Sequence, residues 1–376
     1  MKIAVFQNCN PGQVGGAENS FHVFCSKLSG TGNDVWAVFP NRARGDLKVG
    51  SAYKLVRFDE GFRIKSYSLS IVSICRTLRE LNPDIIHLAD GLSPTDFLIL
   101  IVNKFFLKKP IFVDIRAMYR NPIVNFIVKM QIPIYNLSTG VSFSDPKIMK
   151  TALNWLLSKK KVIHDYYLEY TNVDIEKKNV TKLKKKKFVF LFVGVLDKGH
   201  RYKGLDLLLK AVAAGNVVRK SIREDVEFDI VGSGGSLDTF RDFSEKNRLR
   251  NVSFRGKVEN IGDEFLRSDA LILPSRKRGE GFGKVVLEAL MNGIPVLVSR
   301  YAGSSYIPEE FGVGRTFDPY DMEEFVDTII LFKQECERGV FEEKIKEFQE
   351  WFIGARKRSL DLLLDEYRKA IMARRV

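Results

Sequence analysis

Residues 270–298 read ALILPSRKRGEGFGKVVLEALMNGIPVLV. Four apolar residues, 270–273, run into Pro274-Ser275 and a basic loop, 276–278. Glycines then alternate with Glu280 and Phe282 before a helical stretch at 284–292 and a second apolar run at 295–298. An uninterrupted apolar run bounded by turn residues reads as a strand covered on both faces, and two such runs joined by a helix make a parallel crossover unit. The glycines put Glu280 in a loop at the helix mouth, where the helix dipole favours negative charge. Glu288 follows two turns later, on a face that can approach the same space. Two carboxylates so placed can grip hydroxyls of two different rings, and the backbone N–H groups of Gly281, Phe282 and Gly283 lie between them for an anion. The plain alternative is one surface glutamate and one capping glutamate.

Working outward, the same alternation covers most of the 376 residues. Strands are expected at 3–7, 34–39, 85–88, 111–115 and 139–142, with helices at 17–29 and 68–81. The second half repeats the plan, with strands at 188–193, 227–231, 252–255, 270–273 and 295–298 and helices at 205–214, 236–247 and 284–292. The fold class is therefore α/β: two doubly wound, Rossmann-like parallel-sheet domains facing a cleft, where strand ends would place a ligand. The expected boundaries are 1–176 for the first domain, 177–187 for a lysine-rich linker and 188–354 for the second. Residues 341–372 have apolar positions at helical spacing, and a terminal helix at about 355–376 is expected to pack back onto the first domain.

Three more glycine loops follow strands. Gly12-Gln13-Val14-Gly15-Gly16-Ala17-Glu18 opens a helix, so its backbone can approach a phosphate or a sugar oxygen, although its spacing is not that of a dinucleotide fingerprint. Gly194, then Arg201-Tyr202-Lys203-Gly204, brings two cations and two glycines to a strand end; this suits a diphosphate and the charge that builds on a departing phosphate. Val231-Gly232-Ser233-Gly234-Gly235 is a third strand running into glycines, and a tight turn explains it equally well. The ordinary alternative for each is a surface turn.

Net charge is +14, and its distribution is uneven. From Phe188 to the end there are 31 basic and 31 acidic residues, so the whole excess lies in residues 1–187. That asymmetry points to an anionic partner for the first half, with a solvated basic face as the alternative. Residues 97–135 mix Phe105-Phe106-Leu107 with Lys104, Lys108, Lys109, Arg116, Arg120 and Lys129, a pattern suited to an anionic membrane surface. No apolar run reaches the length needed to span a bilayer. The start of the chain lacks signal-peptide features, and the four cysteines show neither metal-ligand spacing nor disulfide density. The expectation is a cytoplasmic protein, peripheral at the inner face of the plasma membrane.

The last three loops, in this order, resemble the large retaining glycosyltransferase family 4 of the GT-B fold. The resemblance rests on Phe192-Val193-Gly194 with Lys203-Gly204, on Ile230-Val231-Gly232-Ser233-Gly234, and on Glu280 through Glu288 continuing to Ala289-Leu290-Met291-Asn292-Gly293-Ile294-Pro295-Val296. It covers about residues 188–335. Gly15-Gly16-Ala17-Glu18, Pro83-Asp84-Ile85-Ile86-His87 and Val113-Asp114-Ile115-Arg116 match more loosely. The resemblance implies transfer of a sugar from a nucleotide sugar, UDP-linked or GDP-mannose, to a glycan or lipid-linked acceptor. It implies retention of configuration and no cofactor or metal, with which the absence of any Asp-x-Asp pair agrees. Glu280, Arg201 and Lys203 would be the catalytic set. Gly16, Gly194, Gly232, Gly281, Phe282, Gly283, Val286 and Glu288 would hold the donor, with Glu288 on the ribose and Glu280 on the sugar. His87 and Arg116 would meet the acceptor, a packed and satisfied histidine being the alternative for His87.

The chain departs from the family pattern at Val195, where many relatives carry an arginine, and at Arg116-Ala117, where a basic–acidic pair is usual. Arg201 would then supply the cation missing at Val195. Two rival readings share the architecture: a non-catalytic nucleotide-sugar binder and a GT-B nucleotide-sugar epimerase. Nucleic acid is not an expected partner, since no recognition motif accompanies the basic runs.

Overall fold

The computed structural model describes residues 1–7, 16–40, 52–58, 63–64, 67–68, 71–89, 94–115, 137–143, 162–163, 187–218, 220–277, 280 and 282–375. The chain divides into two compact units, Met1–Asn172 with Phe352–Val376, and Val173–Trp351. Of the linker expected at 177–187, only Lys187 lies within the described residues.

The first unit is built on a parallel seven-stranded sheet. Its strands are β1 (Lys2–Phe6), β2 (Asp34–Pro40), β3 (Lys54–Phe58), β6 (Ile85–Leu88), β7 (Ile111–Ile115), β8 (Gly140–Phe143) and β9 (Val162–Ile163), while β4 (Arg63–Ile64) and β5 (Tyr67–Ser68) form a separate antiparallel hairpin. The spatial order β3-β2-β1-β6-β7-β8-β9 reverses direction between β1 and β6. Successive side chains of β1 feed opposite faces, as the period of two demands. Ala4 and Phe6 join Ile86, Leu88 and Val113 in one core, whereas Ile3 and Val5 join Ile85, Phe24 and Phe112 in the other. The second of these cores also takes Leu363, Leu364 and Tyr367 from the C-terminal helix, which runs unbroken from Glu342 to Arg375.

The second unit repeats the architecture with six parallel strands: β10 (Phe188–Val193), β11 (Val226–Val231), β12 (Val252–Gly256), β13 (Ala270–Leu273), β14 (Val296–Ser299) and β15 (Gly314–Phe317). Their order is β12-β11-β10-β13-β14-β15, so the switch point lies between β10 and β13. Helices Leu205–Val218, Leu237–Lys246, Val285–Met291 and Met322–Glu337 are among those that cover the sheet. The last is capped by Asp321, whose side chain accepts from the Glu324 N–H at 3.0 Å. In an open parallel sheet the strand ends beside the switch point leave a crevice that no crossover fills. Here the segments at that point are those after β10 and β13.

Candidate active site in the second unit

The loops after β10 and β11 are laced together. Leu196 N–H donates to Ser233 O at 3.0 Å and Ser236 N–H to Leu196 O at 2.8 Å. Gly232 presses against Gly194, because a Cβ at Gly232 would lie 1.8 Å from the Gly194 carbonyl oxygen. Beyond them a short 3-10 turn, Lys198–Lys203, ends on Gly204 in the left-handed region at φ +74°. A side chain at Gly204 would meet the Pro274 carbonyl oxygen at 1.8 Å, so only glycine lets this turn seat against the end of β13. The seam is closed by Arg276 N–H donating to Tyr202 O at 2.7 Å, and by an ion pair between the Arg276 guanidinium and Asp206.

This seating brings Lys203 to Glu280. Lys203 Nζ lies 3.1 Å from Glu280 Oε2, and Ser275 Oγ donates to the same oxygen at 3.3 Å. The lysine stem crosses over Gly194, where a Cβ would stand 2.5 Å from Lys203 Cδ. Lys203 is 17% exposed and Glu280 8%. Desolvating such a pair costs several kcal/mol per ion before attraction repays it, so burial of this kind says more about a charged ligand than about stability.

Glu288, in helix Val285–Met291, is half-buried, and its carboxylate has no hydrogen-bond partner among the described residues. Burial pushes its pKa up, while Lys284 and Lys203 pull the other way. Lys203 therefore acts on both carboxylates. Burial also raises the Tyr202 phenol, with Lys203 opposing and Glu280 adding to the rise. The Tyr202 ring lies 5.6 Å from Lys203 Nζ.

The other expected positions fall as follows. Arg201, on the same 3-10 turn, is exposed, and its side chain has no partner among the described residues. Phe282 is half-buried, and its carbonyl accepts from Ser304 N–H at 2.9 Å. Gly283 begins the approach to helix Val285–Met291 and accepts from Val286 N–H at 3.0 Å, while the Val286 side chain is fully buried in the core. Gly281 and Arg116 lie outside the described residues. Gly16 starts the helix Gly16–Gly30, and residues 8–15 before it lie outside the described residues.

His87 is 1% exposed and has both ring nitrogens engaged. Tyr367 Oη lies 2.5 Å from Nδ1 and Asp114 Oδ2 lies 2.9 Å from Nε2, with Ser142 Oγ donating to the other Asp114 oxygen. The histidine thus joins β6, β7 and the C-terminal helix, and in this structure it offers no free nitrogen to a ligand. Sequence reasoning missed Ser275 and Tyr202 at the Lys203–Glu280 pair. Their only local mark is a place at a strand end or beside a lysine.

Residues 173–347 match the family model described as glycosyl transferases group 1. That segment, a little under half of the chain, is therefore similar to the group 1 glycosyltransferases. It is 29% identical over 276 residues to a 41.2 kDa Klebsiella pneumoniae protein in the cps region, covering 68% of this chain and 70% of that one. A second relative is the Escherichia coli UDP-Gal:α-D-GlcNAc-diphosphoundecaprenol α-1,3-galactosyltransferase, 28% identical over 159 residues, which are 41% of this chain and 38% of the relative. The crystal structure of Anabaena HepE in complex with UDP superposes with a TM-score of 0.75 at 16% identity, over 97% of this chain and 100% of HepE. That likeness establishes the two-unit fold. The matched segment coincides with the unit that holds Lys203, Glu280 and Glu288.

Proposed function

We propose that this protein is a glycosyltransferase that moves a hexosyl group from a nucleoside diphosphate sugar, UDP-linked in preference to GDP-mannose, onto a glycan or lipid-linked acceptor. The transfer retains configuration and needs no metal ion. The observation that carries this reading is the buried Lys203–Glu280 pair at 3.1 Å, placed at the switch point with the unpartnered Glu288 nearby.

A diphosphate entering the site would take Lys203 as its counter-ion, and the exposed Arg201 can swing in as a second. Glu280, sharing its lysine with phosphate, would accept hydroxyl hydrogens of the sugar. Glu288 would accept from the ribose hydroxyls and recover the hydrogen bonds that burial denies it. The backbone at Gly194, Gly232, Gly281, Phe282 and Gly283 would line the phosphates and sugar. In the chemical step the bond from the anomeric carbon to the phosphate oxygen breaks. A bond to the acceptor oxygen forms on the same face, and the leaving phosphate takes the acceptor proton. The UDP preference draws on the donor in the name of the Escherichia coli relative and on the UDP of the HepE complex. That relative's name also gives a diphosphoundecaprenol acceptor, which suits the basic first half of this chain and a place at the inner membrane face. Arg116 remains the acceptor-side candidate there, and His87 serves as a structural link.

A thermal-shift panel of nucleotide sugars, followed by an assay for released nucleoside diphosphate, tests the proposal. UDP-sugars should raise the melting temperature, and UDP should appear only when an acceptor is added. Glu280→Gln should cut release by roughly a hundredfold or more while the thermal response to UDP persists. Binding without turnover in the wild-type protein would replace transfer with the reading of a non-catalytic binder.

A further inference from the structure

One surface feature of the first unit is built for contact and plays no part in the donor site. After the helix Pro94–Val102 the chain makes a single π-turn, Asn103–Leu107, that leaves Phe105 67% and Phe106 66% exposed. Two adjacent, solvated phenylalanines on an ordered turn are unfavourable in water, and they would be expected to fold inward if the turn were free to relax.

The turn is not free. Asn103, 4% exposed, spans it from beneath: its Nδ2 donates to Lys109 O at 2.8 Å and its Oδ1 accepts from Lys109 N–H at 3.0 Å. Lys108 N–H donates to Asn103 O at 2.7 Å, and Lys108 adopts the left-handed conformation at φ 51°. Leu107 packs against the core, and Lys109 Nζ donates to Asn82 Oδ1 at 2.7 Å. With both ends and Leu107 tied down, the phenylalanines between them stay outside.

The charges around the turn identify what it meets. Lys104 and Lys108 flank the two rings and are exposed. Lys109 adds a third positive charge, and Arg374 of the C-terminal helix lies close enough to act on it: burial and Arg374 lower the lysine's pKa, against a smaller opposing effect of Asp84. Aromatic rings ringed by lysines match the interface of an anionic bilayer, where rings enter the acyl boundary and ammonium groups stay with lipid phosphates.

We propose that the turn Asn103–Leu107 is a membrane anchor: Phe105 and Phe106 insert into an anionic bilayer surface while Lys104 and Lys108 pair with lipid phosphates. Given a lipid-linked acceptor, as proposed above, this anchor keeps the enzyme on the surface where that acceptor resides.

Flotation of the full-length protein on vesicles tests it, with phosphatidylcholine alone compared with phosphatidylcholine containing phosphatidylglycerol. The wild type should float with the anionic vesicles at low salt and progressively less as salt screens the lysines. Phe105→Ala/Phe106→Ala should reduce partition roughly tenfold or more, and Lys104→Glu/Lys108→Glu should abolish the preference for phosphatidylglycerol. Val217→Ala/Val218→Ala removes two exposed side chains from the second unit and should float like the wild type. Wild-type partition in the Phe105/Phe106 variant, or no wild-type flotation on anionic vesicles at low salt, overturns the proposal. UDP release onto a water-soluble acceptor, measured in parallel, should be unchanged in the Phe105/Phe106 variant. A wild-type protein that floats but never releases UDP would keep the anchor and remove the transferase reading.

Discussion

Lys203 is the residue on which the charges of the site turn. It neutralises Glu280 directly and opposes the rise that burial imposes on Glu288. The Glu288 shift has a signed consequence. A carboxyl whose folded pKa is raised opposes folding when ionised; that penalty is absent below its unfolded pKa and complete above the folded one. Glu288→Gln should therefore raise the melting temperature of the ligand-free protein near neutral pH. The gain should fade as pH falls through the ordinary carboxylate range. The same variant should weaken UDP binding by roughly 1–3 kcal/mol, since a charge-assisted acceptor becomes a neutral one. A melting-temperature gain that is equal at acid and neutral pH would contradict the burial argument, and calorimetric titration with UDP checks the affinity.

At the scale of elements, the site depends on the 3-10 turn Lys198–Lys203 lying flat against the end of β13. Gly204→Ala should cost about 2 kcal/mol or more, because the new Cβ meets the Pro274 carbonyl and the backbone must leave its left-handed conformation. Donor affinity should fall with it, since Lys203 moves with the turn; urea unfolding and UDP titration read the two effects. Most strands of both sheets were legible in the sequence, because central parallel strands are apolar throughout. Of the edge strands, β12 was expected at 252–255, whereas β3 and β15 were not. β3 carries exposed Lys54 and Arg57, and β15 carries Arg315, which is ion-paired with Glu335, its Nε donating to Glu335 Oε2 at 3.0 Å. Charges on an edge discourage pairing with another chain, and they also erase the apolar run by which a strand is read. The C-terminal helix, expected at about 355–376, is continuous from Glu342 to Arg375.

At the scale of the whole molecule, residues from distant parts of the chain complete each unit. The Tyr367–His87 contact joins positions 280 residues apart within the first unit. Tyr367→Phe leaves a buried imidazole nitrogen without its partner and should cost roughly 1–3 kcal/mol. The loss should show as faster hydrogen exchange in β6, β7 and the C-terminal helix, with UDP affinity in the second unit unchanged. Loss of UDP binding in that variant would mean that the two units are not energetically separate. Among the described residues no helix is long and apolar enough to cross a membrane.

Local pattern was enough to establish the two α/β halves, the glycine loops at strand ends and the pair of glutamates at 280 and 288. Strand and helix periodicity, glycine placement and strand-end position are properties of neighbouring residues. Which charges meet was a tertiary matter. Lys203 and Glu280 stand 77 positions apart and come within 3.1 Å only because β10 and β13 are neighbours at the switch point. Ser275 acquires its role from that same adjacency. His87 lost its apparent availability when Tyr367 arrived from the far end of the chain. No local window contains such pairings, since they follow from strand order, and strand order is settled by the burial of both sheet faces at once.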